Sequence, residues 1–211
     1  GLRKGGSSQH SHRLQAMVSN VPGLQVFVPA TPSDAYGLLK WCLVESRNPT
    51  VMFAHSELLL QEEDFDPAAR MLPVGSARIS REGEDVTIVA NSVMVKRALE
   101  AADVLASTHH VSAEVIDVRT LCPLDHETLI DSIAKTGKAV ILDECHRSFG
   151  VNAELSAVIA EKAFRHLKAP ITRVATADVP VPYNLEMENE MSANQAKIIG
   201  GVLSTLESSR E

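Results

Sequence analysis

Residues 138–163 read KAVILDECHRSFGVNAELSAVIAEKA. The stretch Ala139–Leu142 is an uninterrupted apolar run, the pattern of a strand buried on both faces, and such strands belong to parallel sheets covered by helices. From Val151 the chain turns into a long helix, VNAELSAVIAEKAFRHLKA. Working outward, the same alternation continues in both directions. VMVKRALEAADVLAST is an amphipathic helix and SAEVIDVR a strand. DHETLIDSIAKTG is a helix capped by Asp125 and stopped by Gly137. ITRVATA is a strand and ANQAKIIGGVLSTLES a closing helix. SARISREGEDVTIVAN carries a charged turn between two strand-like runs, a hairpin signal. Alternating strands and helices predict an α/β fold with a mainly parallel sheet and helices on both faces, over residues 75–211.

The chain before that section follows a shorter version of the pattern. Leu14, Met17 and Val18 mark a helical turn that Val21-Pro22-Gly23 ends. LQVFVPA is a strand, ATPSDAYGLLKWCLVES a helix with Thr31 at its N-cap and Pro32 at its first position, and PTVMFAH a strand. Residues 1–60 therefore predict part of another α/β domain. Residues 61–74, QEEDFDPAARMLPV, predict a linker. Two strands without further neighbours leave open edges, so this first sheet is expected to need completion. Asp178-Val179-Pro180-Val181-Pro182-Tyr183 has two prolines that fix φ, and predicts a shaped surface loop.

Composition excludes several functions. Of 211 residues, 45% are hydrophobic and 22% charged, an ordinary balance for a core-forming protein. The net charge of −7 argues against nucleic acid as a partner, because phosphate binding needs a concentrated basic face. Cys42, Cys122 and Cys145 stand far apart without CxxC spacing, which predicts reduced thiols rather than a disulfide frame or zinc site. No run of about 18 apolar residues supports a membrane span, and GLRKGGSSQH has the charge but not the apolar run of a signal peptide. GxGxxG after a strand, GxxxxGK[ST], GxSxG and HExxH are all absent.

Among the histidines, His109 and His110 fall in a hydrophilic link and His126 and His166 on helices. His146 ends a strand, where open α/β sheets place ligands. His10 follows a glycine- and serine-rich run that lets a substrate approach the backbone, and an imidazole moves protons near neutral pH. The same run also suits a mobile terminus, and His10 with His12 makes only a weak metal pair. Asp117, Arg119, Asp125, Asp143 and Glu144 lie near the carboxyl ends of two strands, with capping for Asp125 and ion pairing for Arg119 as the simplest readings.

Several stretches together resemble a known family. QHSHRLQAMVSNVPGLQVFVPATPSDAYGLLK is similar to the HSQ-x-L-E-A … P-G-L-K-V-V … D-A-x-G-L-L-K stretch of the β subunit of 2-oxo acid dehydrogenase E1 components. DVRTLCPLD, KTGKAVILDE and AELSAVIAEKAFRHLKAPITRVATADVPVPY resemble further motifs of that family, in order and with matching spacing. The resemblance implies part of a thiamine-diphosphate pyrimidine-binding domain over residues 1–60 and a transketolase C-terminal-like domain over 75–211. It implies oxidative decarboxylation of a 2-oxo acid, or acetoin cleavage, with acyl transfer to a lipoyl group. Thiamine diphosphate would be shared with an E1 α subunit that holds Mg²⁺, in an α2β2 assembly with a second β chain and a lipoyl-bearing E2 core. The compartment would be a bacterial cytoplasm or a mitochondrial matrix. His10 takes the place of the family's active-site histidine, while His12 stands where the family has glutamine. Arg119 stands where the related deoxyxylulose-phosphate synthases contact substrate phosphate, and His146, from its place at a strand end, is taken as a second substrate contact. Main-chain oxygens near Cys42, Leu43 and Asn48 resemble a potassium loop. The stretch with the family's activating glutamate lies outside these residues, so the chain by itself is expected to be inactive. Alternatives from other classes are a transketolase-like or deoxyxylulose-phosphate-synthase-like portion, and a non-catalytic dimerisation or docking module.

Overall fold

Strand β4, Val86–Ala90, is buried at every position, and so is β5, Ala113–Asp117. Strands that are apolar on both faces need a strand on each side and helices above and below. The computed structural model, which describes residues 2, 5–64 and 73–209, supplies all four. With β3 (Arg78–Arg81), β7 (Ala139–His146) and β8 (Thr172–Thr176), these strands form a five-stranded sheet in the order β3-β5-β4-β7-β8, parallel except for β3. Helices α3 (Val93–His109) and α7 (Gln195–Ser208) pack together on one face, around Ile88, Met94, Leu105, Leu142 and Ile198. Helices α4 (His126–Thr136) and α5 (Val151–Ala163) cover the other, around Val89, Ile116, Ile133, Ile141 and Ile159. The mainly parallel α/β architecture expected from the sequence is therefore the one observed.

The first section is smaller. Helix α1, Gln15–Ser19, is followed by β1 (Gln25–Phe27), α2 (Pro32–Val44) and β2 (Thr50–Met52). Thr31 caps α2, its hydroxyl accepting the Asp34 N–H at 3.1 Å. Strand β1 pairs in parallel with β2 on one side. On its other side it pairs antiparallel with β6, Thr120–Cys122, a strand contributed by the second section. Val26 and Val28 accordingly sit in the same core as Ile116 and Leu129. The expected linker over 61–74 falls largely on residues 65–72, which lie outside the described residues. Among the described residues, no helix is long and apolar enough to cross a membrane.

One local expectation differs from the structure, and two short elements carry no signal in the sequence. The charged turn REGED does not close a hairpin: β3 pairs with β5, not with β4. Turn chemistry reads only the reversal, whereas burial decides the neighbour. The half-exposed, charged RISR strand goes to the sheet edge, leaving the interior to β4. Strand β6 is too short for a periodicity signal. Helix α6, Leu185–Met191, whose N-cap Asn184 accepts from the Glu186 and Met187 N–H groups at 3.0 Å, follows the proline loop where only irregular chain was expected.

Gly83 explains how β3 crosses to the far side of β5. A Cβ built there would lie 2.2 Å from the Glu114 nitrogen and 2.3 Å from the Ala113 carbonyl carbon, both backbone atoms that cannot move aside. Gly83→Ala is expected to destabilise the fold by about 2 kcal/mol or more, an overpacking penalty read from the urea midpoint. An unchanged midpoint would refute this packing.

Candidate active site

The described residues place the candidate chemistry at the junction between the two sections, beyond the carboxyl end of β7. Here the strand ends in two buried acids, Asp143 and Glu144, followed by buried Cys145. Asp143 builds the turn into α5: one carboxylate oxygen accepts the Cys145 N–H at 3.0 Å. The other accepts the Asn152 backbone and side-chain N–H groups at 2.8 and 3.0 Å. Burial pushes both its carboxyl and the Cys145 thiol above their ordinary ranges, so Cys145 is an inert packing residue.

Glu144 points toward the first section. Its Oε1 lies 3.1 Å from His55 Nε2 and accepts the Leu2 backbone N–H at 2.9 Å. His55, just past β2, accepts the Glu57 N–H at Nδ1, 3.1 Å away, so its proton sits on Nε2 and is donated to Glu144. The Oε2 atom faces Arg13 Nε at 3.9 Å. The Arg13 side chain is only 1% exposed, and its Nε, Nη1 and Nη2 make no hydrogen bond among the described residues. Burial would raise the Glu144 carboxyl, but the hydrogen bond from His55 leads an opposing pull, to which nearby positive charges including Arg13 add, and brings it down to about 2. Burial holds the Arg13 guanidinium below its ordinary value even though Glu144 favours its charge.

His10 closes a 3₁₀ turn, Ser8–His10, and its imidazole is exposed. The turn follows Gly5 at φ +83° and Ser7 at φ +57°. Gly5 donates its N–H to buried Glu188 of α6 at 2.7 Å. His12 is also exposed, and α1 starts only at Gln15, so neither histidine lies on an α-helix.

Arg119, at φ +53°, is turned inward. Its Nε donates to the Ser76 carbonyl at 3.0 Å, Nη2 to the Ala77 carbonyl at 3.1 Å, and Nη1 to buried Asp34 of α2 at 3.4 Å. Arg78 of β3 pairs with the same Asp34 at 2.9 Å and with Asp117 of β5 at 3.3 Å. The ion pairing expected for Arg119 is thus present, with Asp34 as its partner. His146 Nδ1 donates to the Ala177 carbonyl at 2.7 Å. Among the described residues no hydrogen bond or ion pair joins His10, Arg119 and His146 to one another. Around the suggested potassium loop, the Asn48 carbonyl accepts the Ser46 and Thr50 hydroxyls at 2.9 and 3.3 Å, while Leu43 is exposed at the end of α2. No cluster of three or more His, Cys, Asp or Glu able to hold a metal is found among the described residues. A separate apolar cleft of about 920 Å³, lined by Met17, Cys122, Pro123, His126 and Phe149 among others, does not include His10.

Arg13, His55, Asp34 and Arg78 were not singled out from the sequence. For Arg13 and His55 a faint signal exists: a charged residue beside an apolar helix start, and a histidine closing an apolar strand, each calling for a distant partner.

The fold and this junction define a class. The family model described as the transketolase C-terminal domain matches residues 75–198, and that of the transketolase pyrimidine binding domain matches residues 1–61. The chain belongs to the transketolase C-terminal domain family. Among its relatives are beta subunits of pyruvate dehydrogenase E1 components. It is 41% identical over 200 residues to the mitochondrial pyruvate dehydrogenase E1 component subunit beta of Dictyostelium discoideum, covering 91% of this chain and 54% of that protein. It is 37% identical to the corresponding subunit of Staphylococcus epidermidis, covering 94% and 60%. With the beta subunit of acetoin:2,6-dichlorophenolindophenol oxidoreductase from Cupriavidus necator it shares 36% identity, covering 95% and 59%. Among solved structures it resembles a split gene transketolase described as an inactive beta4 tetramer, with a TM-score of 0.74 and 27% identity, covering 93% of this chain and 61% of that one. The chain thus spans little more than half the length of these relatives.

The Asp34–Arg78–Asp117–Arg119 cluster has a pH consequence. Burial, and then the nearby charge of Asp34, push the Asp117 carboxyl up to about 7, against the opposing pull of Arg78 and Arg119. A carboxyl whose folded value lies above its unfolded value of about 3.9 binds more protons when folded, so its contribution to stability falls as pH rises through that interval. Urea midpoints measured from about pH 4 to pH 7 should show Asp117→Asn losing less stability with rising pH than the parent chain. Parallel curves would show that Asp117 is ionised throughout.

Proposed function

We propose that this chain is the β-subunit portion of a thiamine-diphosphate-dependent 2-oxo acid or acetoin dehydrogenase E1, with His10 as its acid/base. The single observation that carries this reading is the exposed His10 imidazole, set on a turn that is fastened to the transketolase-type section through Gly5 and Glu188. The proposal takes residues 1–60 as pyrimidine-binding and 75–211 as transketolase C-terminal-like, joined by 61–74. The relatives named for pyruvate and acetoin oxidation support it.

The residues present suit part of a shared cofactor site. They offer an imidazole open to solvent, whereas among the described residues Arg13, Arg78 and Arg119 face buried carboxylates or carbonyls rather than a site for a diphosphate. That disposition supports an E1 α subunit holding the diphosphate through Mg²⁺, an α2β2 assembly and a lipoyl-bearing E2 partner. Thiamine diphosphate, when bound, supplies the electron sink for loss of carbon dioxide from a 2-oxo acid. His10 then does what an imidazole does near neutral pH. It holds a proton at a ring nitrogen and delivers it to the lipoyl sulfur released when the acyl group takes the other sulfur. Arg119 and His146, both directed at internal carbonyls, are left as secondary substrate contacts. Bacterial cytoplasm and mitochondrial matrix both fit the relatives' sources.

The split-gene neighbour, described as an inactive tetramer, favours a second reading of the chain on its own: assembly without catalysis. The two are separated by reconstituting the chain with an E1 α partner and following 2-oxo acid oxidation with an artificial electron acceptor. His10→Ala is expected to lower kcat about 100-fold or more with the assembled mass unchanged. Full activity in His10→Ala would remove His10 from the chemistry, and no activity with any partner alongside stable assembly would favour the non-catalytic module.

A further inference from the structure

The stretch before His10 and the stretch after it meet the same side chain. Leu2 donates its N–H to Glu144 Oε1 at 2.9 Å, and its side chain is buried against Val181 of the proline loop and Met191 of α6. Beyond His10, Arg13 turns inward and lays its guanidinium 3.9 Å from Glu144 Oε2. His55 fixes the carboxylate between them with its Nε2–H. Glu144 itself belongs to β7, whose backbone pairs with β4 and β8 in the interior of the main sheet. Among the described residues between these two attachments, regular structure is confined to the Ser8–His10 turn.

We propose that Glu144 is a positioning residue that clamps the lead-in and the exit of the His10 loop onto the end of β7, with His55 orienting the clamp and Arg13 as its cationic jaw. This deepens the assignment of His10 and rests on it for the catalytic consequence, though not for the clamp itself. The carboxylate suits the task because Oε1 accepts from His55 and Leu2 while Oε2 turns negative charge toward Arg13. An amide at the same place can still accept from His55 and Leu2, but turns an N–H₂ toward the Arg13 guanidinium. Donor would then face donor, and a buried cation would lose its counter-charge. Among the described residues Arg13 has no hydrogen-bond partner, so none of them compensates.

Two measurements on the full chain assembled with its α partner test this. Hydrogen exchange of backbone amides over residues 5–12 should accelerate about tenfold or more in Glu144→Gln and remain as in the parent in His10→Ala. In turnover, Glu144→Gln should lower kcat about tenfold or more with KM for the 2-oxo acid within about twofold, since displacement of a reacting group by about 1 Å is enough for such a loss. The double variant His10→Ala/Glu144→Gln should be no slower than His10→Ala alone, because the clamp acts through His10. Should Glu144→Gln fail to fold, Arg13→Met removes only the cationic jaw and should release residues 8–12 in the same exchange experiment. Unchanged loop exchange in the folded variants would overturn the clamp. Faster exchange with multiplicative kinetic losses would overturn its action through His10. A fully active His10→Ala would instead refute the functional assignment, and the exchange result would still decide the clamp.

Discussion

A carboxylate removed from water must meet a cation or a set of donors, and that requirement fixes the junction between the two sections of this chain. Asp34, Asp117 and Glu144 are all buried there. Asp34 rides on α2 of the first section, yet both of its cations, Arg78 and Arg119, come from the second. Glu144 rides on β7 of the second section, and its partners His55, Arg13 and Leu2 come from the first. The two sets of pairs run in opposite directions across the seam. Sliding the sections past one another would strand charges on both sides, an outcome that costs several kcal/mol for each buried ion. The β1–β6 pairing adds a backbone register to that electrostatic one.

Much of the fold was legible in local chemistry. Val86–Ala90 and Ala139–Leu142 are apolar enough to demand a covered parallel sheet, and Thr31, Asp125 and Gly137 mark helix ends through hydrogen bonds or backbone angles confined to one turn. What escaped was decided by distant partners. Strand β6 is a strand because β1 lies beside it, not because three residues carry a period. The REGED turn reverses the chain faithfully, but the neighbour of β3 is chosen by the burial of β4 and by the close approach of Gly83 to β5.

The candidate site divides along the same line. His10 stands out in sequence because its context of small residues and its motif are contiguous. Glu144 does not, since its meaning comes from His55, 89 residues earlier, and from Leu2, 142 residues earlier. Near a strand end an acid ordinarily reads as a cap, which is the role Asp143 does play toward Asn152. Arg119 shows the converse: a residue with a functional look whose geometry directs every nitrogen inward.

A proton-transfer group on this loop faces two opposing needs. The imidazole has to be exposed to meet a substrate, which rules out the packed strands and helices that could hold it most firmly. Yet Ser7, at φ +57°, sits in a left-handed conformation that L residues adopt at a cost of about 1–3 kcal/mol, and which persists only where the surroundings enforce it. The loop's own hydrogen bonds, His10 N–H to Ser7 at 3.4 Å and Ser11 N–H to Ser8 at 3.3 Å, are long. Its constraint must therefore come from outside, and the two rigid elements that reach it are β7 through Glu144 and α6 through Glu188. Both use carboxylates because an acceptor oxygen can hold a backbone N–H without reaching the imidazole itself. On the proposed reading, this arrangement lets the interior of the sheet determine where His10 stands, while among the described residues its ring nitrogens carry no hydrogen bond.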